Sequence, residues 1–119
     1  MTARIHITEE RDGPITILRL SGRLELDDGD VVFRNHVDRL VAEGRVKIVL
    51  ELKDVVRIDS AGIGMLVSKY LSTRQRGGTM KLLHLTRRSG HLLAITGLRA
   101  VFEIFDDEAE ALRSFDAAG

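Results

Sequence analysis

The stretch VKIVLEL, residues 46–52, decides the fold class of this chain. It is apolar except at Lys47 and Glu51, which is typical of a strand buried on both faces of a sheet. From residue 60 onward the apolar period becomes that of a helix. The predicted core positions of that helix are Ile63, Leu66, Val67, Tyr70 and Leu71. Because residues 80–85 form a further strand pattern, the helix must be a crossover between parallel strands, which predicts an α/β fold.

Further elements extend this pattern in both directions. Residues 5–7 and 15–20 are extended segments joined by a Gly-Pro turn, which predicts an antiparallel hairpin. Residues 33–41 show helical spacing, with Asp28 or Asp30 as the candidate cap. A short helix over 89–96, a short strand over 101–105 and a terminal helix over 106–115 follow. We therefore expect a mixed four- to five-stranded central sheet with about four helices packed on it.

Composition narrows the classes of function. The 119 residues carry 18 basic and 18 acidic side chains, so no net field favours nucleic acid or a membrane surface. The absence of cysteine excludes disulfides and thiol catalysis, and fits a reducing compartment. There is no apolar leader and no apolar run of the roughly 18 residues that a membrane span needs. We expect a cytoplasmic, soluble, single-domain protein with no membrane insertion.

The segment Asp59-Ser60-Ala61-Gly62-Ile63-Gly64 lies at the predicted start of the central helix. Inside a helix each of its two glycines costs about 1 kcal/mol relative to Ala, so bare backbone is needed there. A tight helix entry, packing on the sheet, or close approach of a partner would each explain this. Ser60 is a candidate N-cap. Its hydroxyl is equally a candidate phosphate carrier, since the positive helix end tolerates a charge of about −1.5 to −2.

Signatures of catalysis and of cofactor binding are missing. A nucleophile elbow would need Gly at position 58, where Ile58 stands. A dinucleotide fingerprint starting at Gly62 would need a third Gly at position 67, where Val67 stands. The four histidines, His6, His36, His84 and His91, lack the spacing of metal ligands. We expect a protein-binding module that is not an enzyme and carries no metal and no cofactor.

Several stretches together resemble the STAS domain of bacterial anti-sigma factor antagonists. Residues 59–66 (DSAGIGML) resemble the signature of that family, and residues 21–25 (SGRLE) resemble its early Gly-x-Leu-Asp loop. The other similar stretches are residues 46–52, 76–82, 95–98 and 101–106. The likeness holds over residues 4–115, which implies a single STAS domain across that range.

The resemblance implies a partner-switching function. Members of the family bind an anti-sigma factor that is a serine protein kinase, and so release a sigma factor. The kinase phosphorylates the serine at the position of Ser60, which blocks binding, and a protein phosphatase restores it. The partner-binding residues implied are Glu25, Asp27, Asp59, Ser60, Ala61, Gly62, Ile63 and Gly64.

Two positions depart from the family pattern. Ala61 stands where many members carry a second Ser or Thr, so Ser60 is the only hydroxyl in the motif. Glu25 stands where the family usually has Asp, so the usual contact of this loop with a partner does not carry over directly to a side chain that is one methylene longer. The alternative function is a STAS subunit of a lipid-transport or stress-signalling assembly that binds without a phosphorylation switch. A nucleotide- or small-molecule-sensing domain is the third hypothesis.

Overall fold

The computed structural model describes residues 5–26 and 29–116, which form one five-stranded mixed sheet and four helices. The strands are β1 (Ile5–Asp12), β2 (Ile15–Leu24), β3 (Lys47–Ile58), β4 (Thr79–Leu83) and β5 (Ile104–Phe105). The helices are α1 (Gly29–Ala42), α2 (Ser60–Gln75), α3 (Arg87–Ile95) and α4 (Glu108–Asp116). The predicted α/β class and the predicted numbers of strands and helices are confirmed.

The strands lie in the sheet in the order in which they occur in the chain. β1 and β2 form the predicted antiparallel hairpin, and every later pair of neighbours is parallel. Each parallel pair is connected through one helix, as the pattern around residues 46–85 predicts. The β3–α2 junction therefore lies at the carboxyl end of the sheet, where open α/β sheets place their ligands and partners.

Consecutive side chains of β3 pack into two different cores. Leu50 belongs to the larger core, which is covered by α1, α2 and α3, and contains Phe33 and Leu66. Val49 belongs to the smaller core, where Ala111 and Phe115 of α4 pack on the other face. Val49 and Leu50 are both fully buried, because successive residues of a strand point to opposite faces. This two-sided burial explains the unbroken apolar run at residues 46–52.

The predicted core stripe of α2 is wrong at its last position. Leu71 is 51% exposed, whereas Lys69 and Thr73 of the same helix are buried. Lys69 is satisfied by the carboxylate of Asp38 in α1, with Nζ and Oδ1 2.6 Å apart. The side of α2 that meets α1 is therefore lined partly by polar residues that find partners, and the apolar stripe does not mark its full extent.

Element boundaries also differ from those predicted. β3 continues to Ile58, because its charged second half remains paired with β2. β5 has only two residues rather than five. α1 begins at Gly29 with Asp30 in its first turn, where the Asp30 carboxylate accepts the N–H of Val31 at 2.9 Å. The other candidate cap, Asp28, lies outside the described residues.

Arg19 of β2 connects three elements on the face of the sheet that carries α4. Its guanidinium contacts Glu10 of β1, Glu51 of β3 at 3.2 Å and Glu108 of α4 at 2.8 Å. Glu51 is only 3% exposed and also lies 2.8 Å from Nδ1 of His84. Burial raises the pKa of Glu51, but its bonds to His84 and Arg19 outweigh that effect and hold the pKa below its ordinary value.

Candidate functional site

The start of α2 lies against the loop that follows β2. The parallel pairing of β2 with β3 ends at Leu24 and Ile58, so the two chain segments leave the sheet side by side. The backbone N–H of Asp59 donates to the carbonyl of Leu24 at 3.4 Å, which extends this contact beyond the strands. The sequence-predicted residues of the loop and of the helix start are therefore brought together in space.

Asp59 is the N-cap of α2 and also a link to the loop. Its Oδ1 accepts the N–H of Gly62 at 2.8 Å, and its Oδ2 accepts the N–H of Leu26 at 3.1 Å. Burial raises the pKa of Asp59, but backbone N–H groups, led by Gly62 and Leu26, together lower it below its ordinary value. The two oxygens of the ionised carboxylate accept one N–H from the helix and one from the loop. A single hydroxyl oxygen at this position would not hold both groups in the same way.

The candidate N-cap role of Ser60 is therefore wrong, because Asp59 holds that position. Ser60 is the first residue of α2 and is exposed. No hydrogen bond of its hydroxyl occurs within the part of the chain that the structure describes. The hydroxyl stands at the positive end of a 16-residue helix, where N–H groups lack helical partners. Ser60 is therefore accessible to a second protein, and its position suits a negative charge.

The two glycines of the motif differ in whether the structure requires them. A Cβ at Gly62 would lie 2.1 Å from the carbonyl oxygen of Leu24, so Gly62 is required for the tight entry of α2. A Cβ at Gly64 would meet no atom within 4 Å, and Gly64 is exposed. Internal packing therefore accounts for Gly62 only. Gly64 leaves a patch of bare helix backbone on the surface, one turn beyond Ser60.

The remaining predicted residues differ in their exposure. Ile63 is 4% exposed and packs in the larger core, so it shapes the site from beneath. Ala61, which follows Ser60, and Glu25, which precedes Leu26, are both half-buried. Asp27 lies outside the described residues.

Sequence reasoning missed Arg57 as a member of the site. Its Nε donates to Oε2 of Glu25 at 3.2 Å, so the β2–α1 loop is tied to the end of β3 by an ion pair. Two exposed apolar side chains were also missed, Leu26 at 59% and Val56 at 63% exposure. Leu26 follows Glu25 directly, and its N–H is held by Asp59. Exposed apolar side chains of this size beside a polar rim are typical of protein-binding surfaces.

Within residues 5–26 and 29–116, no cluster of three or more His, Asp or Glu side chains is arranged to hold a metal ion. None of the helices described is both long and apolar enough to cross a membrane. The site thus offers an exposed hydroxyl, an ionised carboxylate already engaged by backbone, an ion pair and exposed apolar surface. This set of groups is suited to contact with another macromolecule.

Comparison with known proteins identifies the family. The STAS domain family matches residues 6–111. An anti-sigma F factor antagonist of Paenibacillus polymyxa is 31% identical over 94% of this chain and 96% of its own length. A candidate anti-sigma factor antagonist of Thermotoga maritima has a crystal structure that is 26% identical, covers 91% of this chain and 92% of its own, and superposes with a TM-score of 0.82.

The fold is also that of the Bacillus cell fate determinant SpoIIAA in its phosphorylated form. That structure superposes with a TM-score of 0.73 at 18% identity, over 92% of this chain and 99% of SpoIIAA. The resemblance that begins at residues 59–66 is thus matched across almost the whole chain, in sequence and in structure. The chain therefore belongs to the STAS-domain family of anti-sigma factor antagonists.

Proposed function

We propose that this protein is an anti-sigma factor antagonist that binds a serine-kinase anti-sigma factor and is switched off by phosphorylation of Ser60. Binding uses the Ser60 surface, which we define as Glu25, Leu26, Ser60, Ala61 and Gly64. One observation carries the proposal: because Asp59 caps α2, the hydroxyl of Ser60 is exposed and is not needed for the fold. The names of the antagonist relatives support the partner class.

A phosphate on Ser60 acts at the interface and leaves the fold intact. The positive end of α2 tolerates the added charge of about −1.5 to −2. The neighbouring carboxylates of Asp59 and Glu25 add to the negative field that a partner meets. Arg57, the cation paired with Glu25, is already engaged. A partner that docks on the phosphorylated surface as it does on the unmodified one would have to remove water from the phosphate. Like charges across an interface also cost several kcal/mol.

Calorimetric titration with a purified serine-kinase anti-sigma factor tests the switch. Ser60→Ala should bind with wild-type affinity, because the hydroxyl has no structural role. Ser60→Asp should bind at least roughly 100-fold more weakly, the equivalent of several kcal/mol of charge repulsion. Gln75→Glu is the matched control, since it adds one negative charge at the opposite, exposed end of the same helix. Equal affinity of Ser60→Asp and wild type would refute the switch.

Phosphorylation itself is tested by incubation with the kinase and ATP followed by mass spectrometry. We expect one phosphate on the wild type, none on Ser60→Ala, and restored binding after treatment with a serine phosphatase. Binding that is retained without any phosphate transfer would instead favour the alternative, a STAS subunit that holds its partner constitutively.

A further inference from the structure

A cavity that shares no lining residue with the Ser60 surface lies at the carboxyl ends of β4 and β5. It has a volume of about 490 Å³ and is bordered by the start of α3 and by the segment that leads into β5. Leu85 and Ile104 supply apolar wall, while Arg87, His91 and Arg99 supply cationic or hydrogen-bonding side chains. This volume falls within the range of small-molecule sites, about 300–1,000 Å³.

The charges around this cavity are unbalanced. Arg87 and Arg99 both line it, against the single carboxylate of Asp106. Over the described ranges of the chain, neither guanidinium makes an ion pair. Arg19 and Arg57, by contrast, are both engaged with glutamates elsewhere in the protein. Two guanidinium groups that line the same cavity are suited to binding an oxyanion. Each guanidinium can bind such an anion through two parallel hydrogen bonds.

Gly90 of α3 lines the cavity together with these two arginines. A Cβ at this position would lie 3.5 Å from a terminal nitrogen of Arg99, so the Arg99 guanidinium reaches across to α3. A larger side chain at position 90 would occupy the space beside that guanidinium. Thr86 accepts two of the N–H groups at the start of α3, those of Ser89 and Gly90, at 3.0 and 2.9 Å. The selectivity of the cavity rests on its side chains.

We propose that this cavity binds a small organic phosphate monoester. Its phosphate, with three acceptor oxygens, is held by Arg87, Arg99 and His91, and its organic part lies against Leu85 and Ile104. A carboxylate offers only two oxygens and less charge, so it uses fewer of the donors present. None of the residues that line this cavity belongs to the Ser60 surface, so the proposal does not rest on the proposed partner or on phosphorylation of Ser60.

Amide NMR of the full chain, titrated at constant ionic strength, tests the site. The probes are phenyl phosphate, inorganic phosphate and benzoate, with chloride as the balancing anion. We expect saturable shifts at residues 85–91 and 99–106, with a dissociation constant for phenyl phosphate of roughly 0.1–1 mM, typical of a few charge-assisted bonds. Inorganic phosphate should bind more weakly because it lacks the apolar part, and benzoate should bind most weakly.

Four variants separate a built site from a general surface effect. Arg99→Gln should weaken phenyl phosphate binding roughly ten- to hundredfold, the loss expected for hydrogen bonds to a charged group. Arg88→Gln, on the same helix but outside the cavity lining, should leave binding unchanged. Gly90→Leu should abolish binding by filling the space, and Asp106→Asn should strengthen it. Shifts that do not saturate, or equal losses in Arg88→Gln and Arg99→Gln, would overturn the proposal.

Discussion

Removing the carboxylate of Asp59 provides the sharpest test of how the site is held together. This one side chain accepts the N–H of Gly62 at the start of α2 and the N–H of Leu26 in the β2–α1 loop. Asp59→Ala removes both bonds. Asp59→Asn keeps an oxygen for Gly62 but turns an NH2 donor toward the N–H of Leu26. The two variants therefore separate the cap from the link to the loop.

The expected magnitudes follow from these contacts. Loss of an N-cap lowers the free energy of unfolding by about 0.5–2 kcal/mol. The N–H of Leu26 becomes accessible to water, so the loss of its bond adds only about 0.5–1 kcal/mol, the low end for a hydrogen bond. We expect Asp59→Ala to be destabilised by about 1–3 kcal/mol in total, and Asp59→Asn by about 0.5–1 kcal/mol.

Urea denaturation followed by circular dichroism measures both variants, and amide exchange of Leu26 reports the link to the loop directly. The pKa of Asp59 is lowered in the folded state, so its stabilising effect is complete above its unfolded pKa of about 3.9. That effect is lost as the pH falls through the folded pKa, and the gap between wild type and Asp59→Asn should then close. Equal stability of Asp59→Ala and wild type, or unchanged exchange at Leu26, would refute the reasoning.

Three further predictions concern other residues around the sheet. Gly62→Ala should destabilise the protein, because the new Cβ would lie 2.1 Å from the carbonyl oxygen of Leu24. Gly64→Ala meets no such atom, so the higher helix propensity of Ala should raise the free energy of unfolding by up to about 1 kcal/mol. Urea denaturation measures both changes. Arg19→Gln should lower the free energy of unfolding at pH 7 by about 3 kcal/mol, because it removes a cation that contacts the buried Glu51. This loss should shrink at acid pH, as Glu51 becomes protonated. Leu26→Ser should change stability by less than about 0.5 kcal/mol, yet weaken calorimetric binding to the anti-sigma factor roughly tenfold.

The fold class and the place of the site could be predicted because strong local patterns determine them. The apolar run at residues 46–52 is compatible with a strand buried on both faces, and the change of period at residue 60 marks the crossover helix. The start of α2 was predicted near Ser60, which is its first residue. The second half of β3 was not, because its charged residues hide a strand that only pairing with β2 reveals.

Which residue caps α2 could not be decided from the sequence. Asp59 and Ser60 are adjacent, and both residue types are strong N-caps. The choice depends on the N–H of Leu26, which is 33 positions away in the chain and reaches only a carboxylate at position 59. The exposure of Leu71 was missed for a similar reason, since the face of α2 that turns inward depends on the pairing of Lys69 with Asp38.

The contrast between Gly62 and Gly64 bears on how the proposed binding surface can diversify. Gly62 admits no other residue without moving the backbone, so descent is expected to leave it unchanged. Gly64, Ser60 and Leu26 meet solvent and can vary at little cost to folding. Duplicated copies in one genome could therefore acquire separate partners through one or two substitutions at these open positions. A few substitutions at exposed positions would then be enough to keep two such copies from binding each other's partners, while the fold stays the same.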